Sequence, residues 1–366
     1  MLTSGLLEAI GASEMNSAVN FYDKLLEKGE DPWDIHLSLF PAVQPILNPP
    51  FINPHLPKMY AVIREFISYL KKEDLPALIR IEITEYAKRP KFKKSVKSSV
   101  RKRSVSFSDI ETAISNQDIE LTANALKAFL YQKGAIELSR NLLLLGSGYL
   151  NDSLGHSFSC TAFILLEMLS RPQDNPWPVL VGLADYFCKG RFYTMPPVIS
   201  TDRNISGKIL EKELLRATAG YGIVNLHHTI TLYAIERTRH LFNVEVYQYL
   251  LQAGIGFMGI KDKDSRKIEP ADTVPSNYKH FYGQFSKKDL NSTLPTILTM
   301  MRSQSNRRRL GRYLIKGLCD HYQGNYNPHY LTGLGSTLWI IENYWNSPNL
   351  ISAALGQYLD FYFDGI

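Results

Sequence analysis

Met59-Tyr60-Ala61-Val62-Ile63-Arg64-Glu65-Phe66-Ile67-Ser68-Tyr69-Leu70 is the stretch that decides the fold class. Met59, Val62, Ile63, Phe66, Ile67 and Leu70 recur at three- and four-residue steps. That spacing puts them on one stripe of an amphipathic helix, and it predicts a helix over 59–72. The same behaviour repeats in both directions. Ala18 to Lys28 reads as a helix closed by Gly29, and Leu75 to Lys88 as one that stops before Pro90. Ser108 with Glu111 three residues on predicts a capping-box start. Helices follow over 121–132, 136–145, 158–170, 177–188, 206–218, 224–241, 244–253, 292–301, 307–321, 330–345 and 350–361. No Asn-Gly or Asp-Gly pair sits between alternating runs, so hairpin signals are missing. The expected class is all-α, a large bundle or an array of stacked helical hairpins.

Two stretches break the pattern. Phe40 to Pro57 carries six prolines and is expected to be extended and packed. Gly254 to Ser286, rich in glycine, lysine and aspartate, is expected to be a long loop, a lid or disordered segment. The apolar runs 142–145, 163–166 and 338–341 fall far short of the roughly 20 residues that span a bilayer. The first residues lack the basic start of a secretory signal. Cys160, Cys188 and Cys319 are widely spaced and form no CxxC pair. They suit neither a disulfide framework nor a zinc site. These features imply a cytoplasmic protein of a reducing compartment.

The 366 residues carry a formal charge of +6. Nine basic residues and no acidic one lie between Lys88 and Arg103, and without those nine the chain stands at −3. A basic face spread over the fold, as nucleic acid would need, is not indicated. We therefore divide the chain into a helical region over 1–88, a basic linker over 89–107 and a main helical domain over 108–366. The linker has three readings: a solvated connector, an arm over 88–103 that docks an acidic partner, or a phosphorylation switch at Ser104 or Ser106. Arg308, Arg312 and Lys316 share a second basic helix face, read as solvated.

The histidines carry the functional signal. His156, the pair His227-His228, and His329 each open an apolar helix. Each is followed within five residues by threonine, and each helix later reaches a glutamate: Glu167, Glu236 or Glu342. Along one helix His156 and Glu167 stand roughly 16 Å apart, too far to share an ion. Glu236 and His240, at i and i+4, are close enough. The di-iron ExxH pattern is absent, and so is HExxH. Convergence between helices remains. If the helices run parallel, His156, His228 and His329 meet at one end, with Asp320 or His321 contributing. Three neutral imidazoles with an open position form a usable site for zinc or iron. The candidate catalytic residues are His156, His228 and His329; the candidate metal ligands are His156, His228, His321, His329, Glu236 and His240. The competing readings are a metal-free polar pocket and scattered structural histidines. Cys160, four residues after His156, could pair with it as a thiolate or pack as a small hydrophobe.

No dinucleotide fingerprint, phosphate loop or nucleophile elbow is present. Gly155-His156 running on to Glu167, and His329-Tyr330-Leu331-Thr332-Gly333, resemble the questin oxidase-like proteins, all-helical enzymes of aromatic polyketide oxidation. The matching pieces cover a small part of the chain. The resemblance implies an oxygenase acting on a mostly apolar or aromatic substrate. The expected function is thus an oxidoreductase with a histidine-lined helical pocket, in which Glu167, Glu236 and Asp320 fix imidazole tautomers. The rival is a non-catalytic helical interaction protein that uses the basic arm.

Overall fold

The amphipathic stripes fold as helices. A computed structural model describes residues 2–92, 94–99, 104–170, 175–198, 204–259, 274–301, 303–324 and 326–365. Among the described residues there are nineteen α-helices and no strand, with two isolated bridges, Ile46 to Lys91 and Asn48 to Phe51. The chain is all-α. Leu75–Lys88 has the expected bounds, and the stripe around Met59 folds as His55–Phe66. No described helix is long and apolar enough to cross a membrane.

Several expectations need correcting. Phe40 to Pro57 is not simply extended: it holds the short helix Phe40–Val43 and the first turn of His55–Phe66. Gly254 to Ser286 is not one long loop. Its first residues finish the helix Val244–Met258 and its last form Tyr278–Phe285; 260–273 lie outside the described residues. The capping box begins at Ser106, not Ser108. The Ser106 backbone N–H donates to Asp109 Oδ2, and Asp109 N–H donates back to Ser106 Oγ. The basic segment is tied down where it is described. Lys97 N–H donates to Glu120, Ser99 N–H to Asn124 Oδ1, and Asn124 Nδ2 to the Lys97 carbonyl. Residues 93 and 100–103, including Arg101, Lys102 and Arg103, lie outside the described residues. On the second basic face Arg312 is paired with Asp74 and Glu73.

The chain forms two compact units whose segments interleave. One takes 1–61, 82–204 and 234–257; the other takes 62–81, 205–233 and 258–366. Residues 1–88 and 108–366 therefore each contribute to both.

The first unit is built from helices packed in pairs. Ile119–Lys133 packs against Trp177–Gly190, and Ala135–Ser147 against His156–Ser170. The last contact is close. A side chain at Gly146 would meet the Ser157 carbonyl oxygen at 2.5 Å, and Ser157 Oγ donates to the Gly146 carbonyl at 2.7 Å. Just before it, Leu154 and Gly155 take left-handed φ values of 53° and 75°. Left-handed backbone is costly for leucine and free for glycine. The pair turns the chain sharply, so that His156 becomes the first helical residue.

The second unit sets Pro348–Asp364 against Gly207–Thr218, Leu290–Met300 and His329–Asn343. Gln357 is fully buried and fully used. Its Nε2 donates to the Ala217 and Gly220 carbonyls, and its Oε1 accepts from Thr229. Gly333 lets Leu226 and Tyr358 close in on the first turns of His329–Asn343.

Candidate metal centre

Three helices, His55–Phe66, His156–Ser170 and His329–Asn343, begin on a histidine. All three imidazoles are buried. One ligand nitrogen from each of His55, His156 and His329 lies within 4.8 Å of the others, close enough to hold a metal ion.

What each ring's other nitrogen faces decides its chemistry, because a ligand nitrogen must present a lone pair. His156 Nδ1 lies 2.8 Å from the Ser153 carbonyl oxygen, which only accepts. The proton therefore sits on Nδ1, which leaves the lone pair on Nε2. His329 Nδ1 lies 2.8 Å from Asn327 Oδ1, which also accepts from the His329 backbone N–H. Its proton too sits on Nδ1, which leaves the lone pair on Nε2. Beside it His227 sends Nδ1–H to the Ile223 carbonyl and packs edge-on against His329, ring centroids 4.6 Å apart.

His55 is wired the other way. Arg89 donates to Asn48 Oδ1 at 2.6 Å, which turns the Asn48 amide nitrogen towards His55 Nδ1 at 3.0 Å. That nitrogen must accept, so the His55 proton sits on Nε2. From there it points at His156 Nε2, 2.8 Å away. The separation is that of a hydrogen bond; two nitrogens on one tetrahedral ion stand about 3.3 Å apart. His156 and His329 thus each carry the lone pair on Nε2, the tautomer a metal ligand needs. His55 fits only as the other tautomer, with its proton moved from Nε2 to Nδ1 and the Asn48 amide turned to accept it.

A second polar contact joins the same two helices one turn further on. Lys58 Nζ donates to Ser159 Oγ at 3.0 Å and lies over the Phe163 ring. Lys58 is wholly buried, and burial pushes its ammonium down to about 8, while the neighbouring Cys160 works the other way. Burial in turn pushes the Cys160 thiol up to about 11. That removes the thiolate–imidazole pair: near neutral pH Cys160 is a thiol.

Of the residues expected at the site, His156 and His329 are brought together. His228 is buried on the helix Gly222–Thr238, but its neighbour His227 is the ring against His329. His321 stacks on Phe285 at 5.0 Å, and its Nδ1 lies 3.3 Å from the Tyr362 hydroxyl; burial lowers its proton affinity. Asp320 accepts from the Tyr278 hydroxyl. Glu236 accepts from the Tyr247 hydroxyl and, with His240, lines an open cleft; burial raises its carboxyl. Neither His321, nor Glu236, nor His240 belongs to the three-histidine group. His55 was missed, yet a signal was present. Asn53-Pro54-His55 and Asn327-Pro328-His329 are the same tripeptide at the same place, the first residue of a helix.

No protein-family model, no curated protein and no solved structure matches the chain.

Proposed function

We propose that the chain is a cytoplasmic, metal-dependent oxidoreductase, an oxygenase of a mostly apolar or aromatic substrate. The observation that carries this reading is the set of three buried imidazoles with ligand nitrogens within 4.8 Å of one another. His156 and His329 would hold the ion through Nε2, their tautomers fixed by Ser153 and Asn327, and His55 would complete the set. An all-nitrogen donor set suits iron or zinc, and iron would supply one-electron chemistry with dioxygen. The resemblance to questin oxidase-like proteins points to the same class. Burial would keep bulk water from the ion.

A second reading has its own support. The 2.8 Å contact between His55 and His156 is a hydrogen-bonded imidazole pair that needs no metal and could hold one proton taken from a substrate between its two rings. The rival use of 88–103 as a docking arm is weakened by the bonds that tie Lys97 and Ser99 to the helix Ile119–Lys133.

Elemental analysis of protein purified without added metal, beside His156→Ala and His329→Ala, tests the proposal. Stoichiometric iron in the parent, lost from both variants while the fold persists, supports it. A parent that holds no transition metal, and takes none up on anaerobic titration with ferrous ion, overturns it in favour of the imidazole pair.

A further inference from the structure

A cleft of about 290 Å³ lies within the first unit, between the helix Trp177–Gly190 and the chain from Pro41 to Pro54. Trp177, Phe92 and Tyr186 give it aromatic walls, and prolines supply further rigid apolar surface. Its base is a close fit. A side chain at Gly182 would stand 3.2 Å from the Gln44 carbonyl oxygen, so a larger residue there would push the two segments apart by a few tenths of an ångström.

Asp185 belongs to the wall of this cleft and is 7% exposed. Its Oδ2 is held by Lys189 Nζ at 2.7 Å. Its Oδ1 is buried and has no hydrogen-bond partner. A buried carboxylate oxygen without a donor is costly, and such atoms are nearly always satisfied. Nothing in the metal centre uses it.

We propose that this cleft binds a flat, uncharged, largely apolar ring compound that gives one N–H or O–H to Asp185. The aromatic and proline walls select a planar apolar body. The bare Oδ1 asks for a donor. The carboxylate repels an anion, and Lys94 on the cleft wall, with Lys189 on Oδ2 and over the Phe92 ring at 5.7 Å, repels a cation. Asn48 also lines the cleft and bonds His55, so a ligand here stands one side chain from the imidazoles. The inference does not depend on a metal, because its test reads binding alone.

Indole is a suitable probe: planar, neutral, with a single N–H. 1-Methylindole keeps the shape and loses the donor; benzamidine adds a positive charge. Saturation-transfer NMR and calorimetry on the full chain should show saturable binding of indole, about tenfold tighter than 1-methylindole, and weaker binding of benzamidine. Asp185→Asn adds a reversal. Lys189 keeps the amide oxygen, which turns the NH2 towards the cleft. Indole should then weaken about tenfold, and quinoline, which only accepts, should gain on it. Equal binding of indole and 1-methylindole, preference for benzamidine, indifference to Asp185→Asn, or no saturable binding would each overturn the proposal. If Asp185→Asn does not fold, the contrast between indole and its methylated form on the parent still decides.

Discussion

His36 and His55 are both buried in the first unit, at 0% and 3% exposure, and their surroundings give them opposite uses. His36 is sandwiched between Trp33 and Tyr60, ring centroids at 4.7 and 4.2 Å. Its Nδ1 lies 2.8 Å from Glu82 Oε2, and Glu82 also accepts from the Tyr86 hydroxyl. Its Nε2 faces no partner. A carboxylate and two aromatic faces hold that ring still and offer no space for a ligand. His55 faces an amide nitrogen on one side and a second imidazole on the other. Burial alone therefore does not mark a functional histidine; the polarity of its neighbours does.

The largest effect should come from breaking the structural side of this contrast. Glu82→Ala leaves His36 and the Tyr86 hydroxyl without their shared acceptor in a fully buried place. Each buried polar group left without its partner costs about 1–3 kcal/mol. Denaturant unfolding should show a loss of that order, with metal content per folded molecule unchanged. A loss below about 1 kcal/mol would mean that the pair is not the clamp described.

Next in size is a change that gives His55 the partner His36 has. In Asn48→Asp a carboxylate oxygen replaces the amide nitrogen opposite His55 Nδ1, and Arg89 can pair with the other oxygen. The ring should then carry its proton on Nδ1 and present a bare Nε2. Partners of this kind typically change metal affinity by about 10–100-fold. Competition against a chelator should show tighter ferrous ion binding in Asn48→Asp than in the parent. Unchanged or weaker binding would break the argument that the Arg89–Asn48 contact opposes ligation by His55.

The fold class was legible because amphipathic stripes are local. Residues three and four apart report their own helix whatever packs upon it. Two of the three site histidines were legible for a similar reason: His156 and His329 announce themselves at helix starts. His55 was not recognised, because its helix was expected to begin at Met59. The prolines around it read as loop, although proline is welcome in the first turn of a helix. His321, Glu236 and His240 were reasonable by spacing. Tyr362, Tyr247 and their own surroundings claimed them instead, and which tyrosine lies opposite a given residue is long-range information that no periodicity carries. The Asp185 cleft was illegible too. It needs Trp177–Gly190 beside the proline-rich chain more than a hundred residues earlier.

The smallest expected effect concerns Lys58, beside the His55–His156 contact. Its ammonium sits at about 8 in the folded protein against an ordinary 10.5, mainly through burial. Between those values the unfolded chain holds a proton that the folded chain has shed, so stability should climb as pH rises from about 8 to 10.5. Below about 8 the whole penalty is present. Its size is of the order of 3 kcal/mol, although Lys58→Met also forfeits the Ser159 hydrogen bond and the Phe163 contact. The net gain at pH 7 should be about 1 kcal/mol, shrinking and then reversing as pH approaches 10. The difference between parent and variant is the quantity to follow, since Cys160, pushed up to about 11, makes both lose stability at the alkaline end. A difference that stays flat from pH 7 to 10 would show that Lys58 is not charged at a cost. The amine would then be paired as comfortably as His36, and the histidine contact would lie in a more polar setting than its burial suggests.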